Sequence, residues 1–272
     1  LPKGNNLSLH LLELFTSQVA KVGMTDGIRQ VLQEESDALR AYYEQAGILI
    51  ARPAGGTSCR LAISAKGGTN AENHNHNDVG SYAVALGSET MVGDQGGPNS
   101  YPGDYFNGDA PQKYKIKGSF GHPVPVVDGR TQSSGGKAKG VVLQKEFTNE
   151  KDVFSIDYTS AYSTPNLDKL IRTFVYDRQG KGSFTVGDEF TAKTPIRFET
   201  AITTRADWKI LDDTHLLLAT DSEQMIVAIE ASGKVAFTSE TIEVNSPAYT
   251  RIGIALKNQS KEGYIRLKMY TK

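Results

Sequence analysis

From Gly47 to the C-terminus, apolar residues recur at every second position in short runs punctuated by glycine, asparagine, aspartate and proline. "GILIAR", "CRLAISA", "SYAVALG", "VVLQKEF", "LIRTFVYD", "GSFTVGDEF", "MIVAIEA", "TRIGIAL" and "YIRLKMY" all read this way. A period of two sends successive side chains to opposite faces of an extended backbone, so each run predicts a strand with one face buried. So many closely spaced strands predict a mainly β fold of two large packed antiparallel sheets, a β-sandwich. "DRQGKG", residues 177–182, predicts a hairpin turn, because glycine supplies the positive φ that closes such loops.

Before Gly47 the spacing differs. Leu11, Leu12, Phe15, Val19 and Val22, then Ile28, Val31, Leu32, Leu39 and Tyr42, fall at helical intervals. Gly23 separates two predicted helices, and Thr25 or Asp26 can cap the second. The chain therefore divides into a helical segment, 1–46, and a β domain, 47–272. Within the β domain, the glycine-dense stretch from Gly93 to Lys139 interrupts the strands, and long loops on a rigid β scaffold are where sites are built.

Charge and apolar content exclude two classes of partner. Thirty lysines and arginines nearly cancel 31 acidic residues, leaving none of the basic excess that nucleic acid binding requires. No apolar run reaches the roughly 18 residues that span a bilayer. The one cysteine, Cys59, cannot close an intrachain disulfide and reads as a strand residue. The chain opens "LPKGNN", without methionine, as expected of a processed or truncated product.

"NHNHND", residues 73–78, carries two of the five histidines and an aspartate. If this stretch enters the following strand, His74, His76 and Asp78 share one face, successive ones about 6–7 Å apart. An HxH pair suits zinc, iron, nickel or copper. A metal site needs further ligands. His10 reads as helix surface and His215 as strand edge. His122, in "SFGHPVPVVDG", lies on a glycine and proline loop just before a strand, and Asp94, in "VGDQGGP", lies where a strand ends. Taken singly, His122 fits a plain loop histidine as well, and Asp94 fits a turn former.

In order, "YEQAGILIARP", "NHNHNDVGSYAVALGSETMVGDQGG", "GHPVPVVDG" and "IRTFVYDRQGKGSFTVGDEF" resemble the β-sandwich domain of the heparinase II/III family of polysaccharide lyases, from about Tyr43 to the C-terminus. The resemblance implies that His76, Asp94 and His122 bind zinc while His74 faces the substrate cleft. It implies β-elimination on a uronic-acid glycan of heparan, chondroitin, hyaluronan or alginate type, and a periplasmic or secreted location. It also implies a second wall to the cleft, a helical toroid of the same polypeptide that supplies a tyrosine acid/base and an asparagine. The helical segment would be the end of that toroid, and the 272-residue chain alone would be inactive. Tyr101 and Tyr105, on the glycine loop, are candidates for contact with the sugar. Two other classes share some of these features. A cupin-like metal enzyme also uses HxH but wants a glutamate a few residues on, where this chain has Asp78 and then no acid until Glu89. A noncatalytic carbohydrate-binding sandwich would display several aromatics, where this chain has Trp208 alone among tryptophans.

Overall fold

A computed structural model describes residues 38–72, 74–94, 98, 100–243 and 248–272. Among these the chain forms a β-sandwich in which every paired strand is antiparallel. One layer is an eight-stranded sheet in the order 207–212, 215–219, 224–231, 260–271, 183–196, 167–177, 151–157, 141–147. The facing layer combines a five-stranded sheet (40–43, 48–51, 61–66, 82–86, 89–92) with a four-stranded one (235–242, 249–256, 198–204, 126–127). The N–H of Gly93 donates to the carbonyl of Thr203 at 3.0 Å, joining these two sheets at their edges.

The period of two is visible in the burial. Leu61–Lys66 and Tyr82–Leu86 alternate buried and half-buried residues. From the eight-stranded sheet, Phe154, Phe174 and Phe184 turn inward as a ladder with ring centroids about 6 Å apart. Tyr82 of the facing layer meets that ladder edge-on, 6.3 Å from Phe174. Leu61, Ile63, Val84, Ile202, Ile252 and Ile254 complete one continuous core. The 177–182 turn forms as expected, with Gly180 and Gly182 at positive φ.

Some inward positions are not apolar. Arg172 and Asp188, cross-strand partners in the eight-stranded sheet, are fully buried, with Arg172 Nε and Nη2 each 2.7 Å from a carboxylate oxygen. A buried guanidinium survives only when its donors are all engaged. Here Nη1 donates to the carbonyls of Gly80 (2.7 Å) and Pro123 (2.8 Å) on the opposite layer. Thr200 and Tyr158 hydroxyls donate to Asp188.

Most of the expected helical segment lies outside the described residues. Where the two overlap, the structure corrects the reading: Arg40–Tyr43 is a strand paired with Ile48–Ala51. Gly47, at φ 61°, closes that hairpin, and Tyr42 packs on Phe147. Pairing to the sheet edge overrides a helical spacing that here rests only on Leu39 and Tyr42.

Candidate metal centre

His76, Asp94 and His122, far apart in sequence, converge so that one ligand atom from each lies within 4.8 Å of the others. Among the described residues this is the grouping of histidine, cysteine and acidic side chains that could hold a metal ion. Asp94 follows the strand 89–92, where the Gly93–Thr203 contact fixes the chain's exit, and Ser81 Oγ donates to its Oδ2 at 3.2 Å. His122 follows a 3-10 turn at Ser119–Gly121. Gly121 has no room for a side chain, because a Cβ there would meet the Lys115 carbonyl and, at 2.8 Å, the Tyr249 hydroxyl.

The expected strand over 73–78 is not formed. The described part, 74–81, is loop and turn, with His74 at φ 56° and Gly80 at φ 87°, and the strand begins at Tyr82. His74, His76 and Asp78 therefore do not share a strand face. Asp78 is buried and ion-paired to Lys66, while its backbone N–H donates to Asn70 Oδ1 at 3.0 Å. The loop is held by side chains standing in for a neighbouring strand. Gln132 accepts from the Val79 N–H (3.1 Å) and donates to the Val79 carbonyl (2.7 Å), and its own N–H donates to Ser119 Oγ (2.8 Å). Together with the Arg172 fork, Gln132 ties the His76 loop to the His122 loop.

The donor set fits a metal. His122 Nε2 lies 3.0 Å from the Ile116 carbonyl and must donate to it, which leaves Nδ1 as the nitrogen that faces Asp94 Oδ2, 3.0 Å away. That Nδ1 is buried and lacks a well-aligned hydrogen bond, so a lone pair and a carboxylate oppose each other unless a proton or a metal ion lies between them. Burial disfavours the imidazolium of His122, yet the Asp94 charge outweighs it and raises the pKa. For His76, burial and then the neighbouring His122 charge push the pKa down to about 4, so this imidazole is neutral and able to ligate at neutral pH. Two imidazoles and one carboxylate match a three-ligand site of zinc type with an open position.

The cluster opens onto a cleft of about 320 Å³ lined by Lys66, His74, His76, Tyr101, Tyr105 and Phe106, among others. His74 is exposed, its ring edge-on to Phe106 at 5.1 Å. Its left-handed backbone costs a side chain about 1–2 kcal/mol. Tyr101 is exposed at the rim. Tyr105 is buried instead, its hydroxyl 3.1 Å from His76 Nε2, and burial pushes its pKa up to about 12. Tyr105 thus orients His76 more than it reaches solvent. Lys66 and Phe106 had no mark in the sequence; Lys66 ends a strand in an outward register, and nothing local ties it to the histidines. His215 caps a surface hairpin with Asp212 and stands apart from the site, and His10 lies outside the described residues.

An antiparallel sandwich with a His–Asp–His cluster on its loops is the class that fold and site define. No protein-family model and no curated protein matches the chain. Solved structures do share its fold. A heparan sulfate lyase from Pedobacter heparinus superposes with a TM-score of 0.72 over 97% of this chain and 42% of that one, at 15% identity. A heparinase III matches with a TM-score of 0.66, 18% identity, 85% of this chain and 36% of that one. A second heparinase III matches with a TM-score of 0.71 and 12% identity over 97% of this chain and 41% of that one. The chain thus spans about two-fifths of the length of these structures.

Proposed function

We propose that this chain is the β-sandwich part of a polysaccharide lyase that cleaves uronic-acid-containing glycans by β-elimination, with zinc held by His76, Asp94 and His122. The observation that carries the reading is the cluster itself, opening onto a cleft with His74 on a sandwich of heparinase III type. In β-elimination a base removes the proton α to the uronate carboxylate, the electron pair forms a C=C bond, and the C–O bond to the leaving sugar breaks. The leaving oxygen takes up a proton, and no water is consumed. His74, which lines this cleft, would move a proton or hydrogen-bond the carboxylate. Lys66 also lines the cleft, but Asp78 pairs with it and Glu72 lies in the same lining, so positive charge for an acidic substrate would come from the metal. Bound there, zinc supplies a fixed positive anchor for three loops. The partner is an acidic polysaccharide. The remaining acid/base tyrosine and an asparagine come from a helical toroid of the same longer polypeptide, and the reading carries with it a periplasmic or secreted location. The test is to assay the polypeptide extended to its natural N-terminus, metal-replete, against heparan sulfate, chondroitin sulfate, hyaluronan and alginate. Ultraviolet absorbance of the new conjugated alkene is expected with at least one, and no product from any of them refutes the reading.

A further inference from the structure

The two histidines of the HxH pair meet two consecutive aromatic residues, one each. Tyr105 places its hydroxyl 3.1 Å from His76 Nε2, and Phe106 sets its ring nearly perpendicular to that of His74, with centroids 5.1 Å apart. Both aromatics stand against the same cation. Lys117 is buried, and its ammonium lies 4.8 Å from the Tyr105 ring centroid and 5.0 Å from that of Phe106 while donating to the Tyr105 carbonyl. A buried ammonium persists where electron-rich groups surround it, and here two aromatic rings and a carbonyl supply them. The Lys117 carbonyl in turn accepts from the Asn77 N–H at 2.9 Å. Lys117 therefore ties the Tyr105–Phe106 step to the loop that carries both histidines.

The two histidines differ in how firmly they are held. His76 has the Tyr105 hydroxyl and the neighbouring ring of His122, 5.2 Å away. His74 is exposed and left-handed in backbone, and among the described residues no hydrogen bond fixes its ring. Its ring contact is Phe106. An exposed imidazole on a loop is free to exchange rotamers, whereas a perpendicular aromatic contact favours one of them. Phe106 is itself half-exposed and belongs to neither hydrophobic core, so packing of the fold does not account for it. It is steadied from its own loop, by Lys117 and by Tyr101, whose ring centroid is 5.1 Å away.

We propose that Phe106, braced by Lys117, is a positioning residue that holds the His74 imidazole in the orientation its work on the substrate requires. The proposal rests on the lyase reading for the reaction and adds how His74 is aimed. Two measurements test it. In the metal-replete 272-residue chain carrying carbon-13-labelled histidine, nuclear Overhauser contacts are expected between the rings of His74 and Phe106, the His74 signals being those lost in His74→Gly. These signals are expected to move in Phe106→Ala, which keeps its zinc by elemental analysis, and in Lys117→Met. In the enzyme extended to its natural N-terminus, Phe106→Ala is expected to lower kcat about tenfold or more while KM stays within about twofold, since misaiming a reacting group leaves ground-state binding intact. Phe106→Tyr, which keeps the ring, is expected to retain most of the wild-type turnover. The proposal is overturned by absence of the ring contact, by His74 signals that do not move in Phe106→Ala, or by a raised KM at unaltered kcat, which would make Phe106 a contact for the sugar. Alkene formation with unchanged kcat in Phe106→Ala refutes the positioning role alone. No alkene from the wild-type extended enzyme refutes the lyase reading, and the spectra still decide whether Phe106 orients His74.

Discussion

Burial pushes the pKa of His76 down to about 4, below its ordinary 6.5, whereas the Asp94 charge raises that of His122 despite burial. In the metal-free chain these shifts act in opposite pH windows. The unfolded state binds the His76 proton more readily, so its contribution is complete above pH 6.5 and is lost as pH falls towards 4, by about 3 kcal/mol. The folded state binds the His122 proton more tightly, so its contribution is complete below pH 6.5 and is lost as pH rises through the raised folded value. Urea denaturation in chelator is therefore expected to give a difference between wild type and His76→Ala that shrinks in acid, and one between wild type and His122→Ala that shrinks in alkali; flat differences would contradict this. His74 makes a separate case, since it is exposed and strained. His74→Gly is expected to keep its metal by elemental analysis and to match or exceed wild-type stability by up to about 1 kcal/mol. The extended enzyme carrying it is expected to lose most of its turnover, and loss of metal instead would make His74 a ligand.

At the scale of elements, the metal centre is a matter of how two irregular loops are spaced. The His76 loop and the His122 loop pair with no strand at the site; Arg172 and Gln132 reach both instead. Arg172→Lys keeps a positive charge opposite Asp188 but cannot reproduce the fork, so the Gly80 and Pro123 carbonyls lose their common donor. Zinc affinity, measured by competition with a chelating dye, is expected to fall about 10–100-fold, as for other groups that orient ligands. Leu216→Ala, fully buried elsewhere in the same sheet, is the control. It is expected to cost about 2–5 kcal/mol of stability while leaving zinc affinity unchanged. Equal affinity in both variants would show that Arg172 serves only the core.

For the whole molecule, a metal held by His76, Asp94 and His122 would link three segments that otherwise meet through side chains and the Asn77 N–H to Lys117 carbonyl bond. A ligand held at 1,000 times its dissociation constant stabilises the native state by about 4 kcal/mol. Chelation is expected to lower the melting temperature and to speed hydrogen exchange between Tyr101 and Lys139, with little change in the strands 167–177 and 183–196. Uniform exchange across the chain would place the metal elsewhere. The 272-residue chain is expected to fold, since its core is continuous across both layers, but not to cleave its polymer, because misplacing a catalytic constellation costs about 100-fold. Alkene formation by this chain at roughly 1 per second or faster would show that the missing acid/base lies within it.

The sequence by itself determined the strands whose apolar residues alternate, such as 61–66, 82–86 and 167–177, and the 177–182 turn, because alternation and glycine's positive φ act between neighbouring residues and require no knowledge of the rest of the fold. The metal trio was nameable through family resemblance, while the spacing of His76, Asp94 and His122 alone left each open to a plainer reading. Tertiary structure decided the rest. It made a strand of Arg40–Tyr43 because a sheet edge was there to pair with. It turned residues 74–81 into a loop and drew Asp78 away to Lys66. It set Arg172 and Asp188 in inward positions that alternation reserves for apolar side chains, and it seated Lys66 and Phe106 around the cleft. These outcomes depend on contacts between residues far apart in the chain, and such contacts exist only once the two layers have packed.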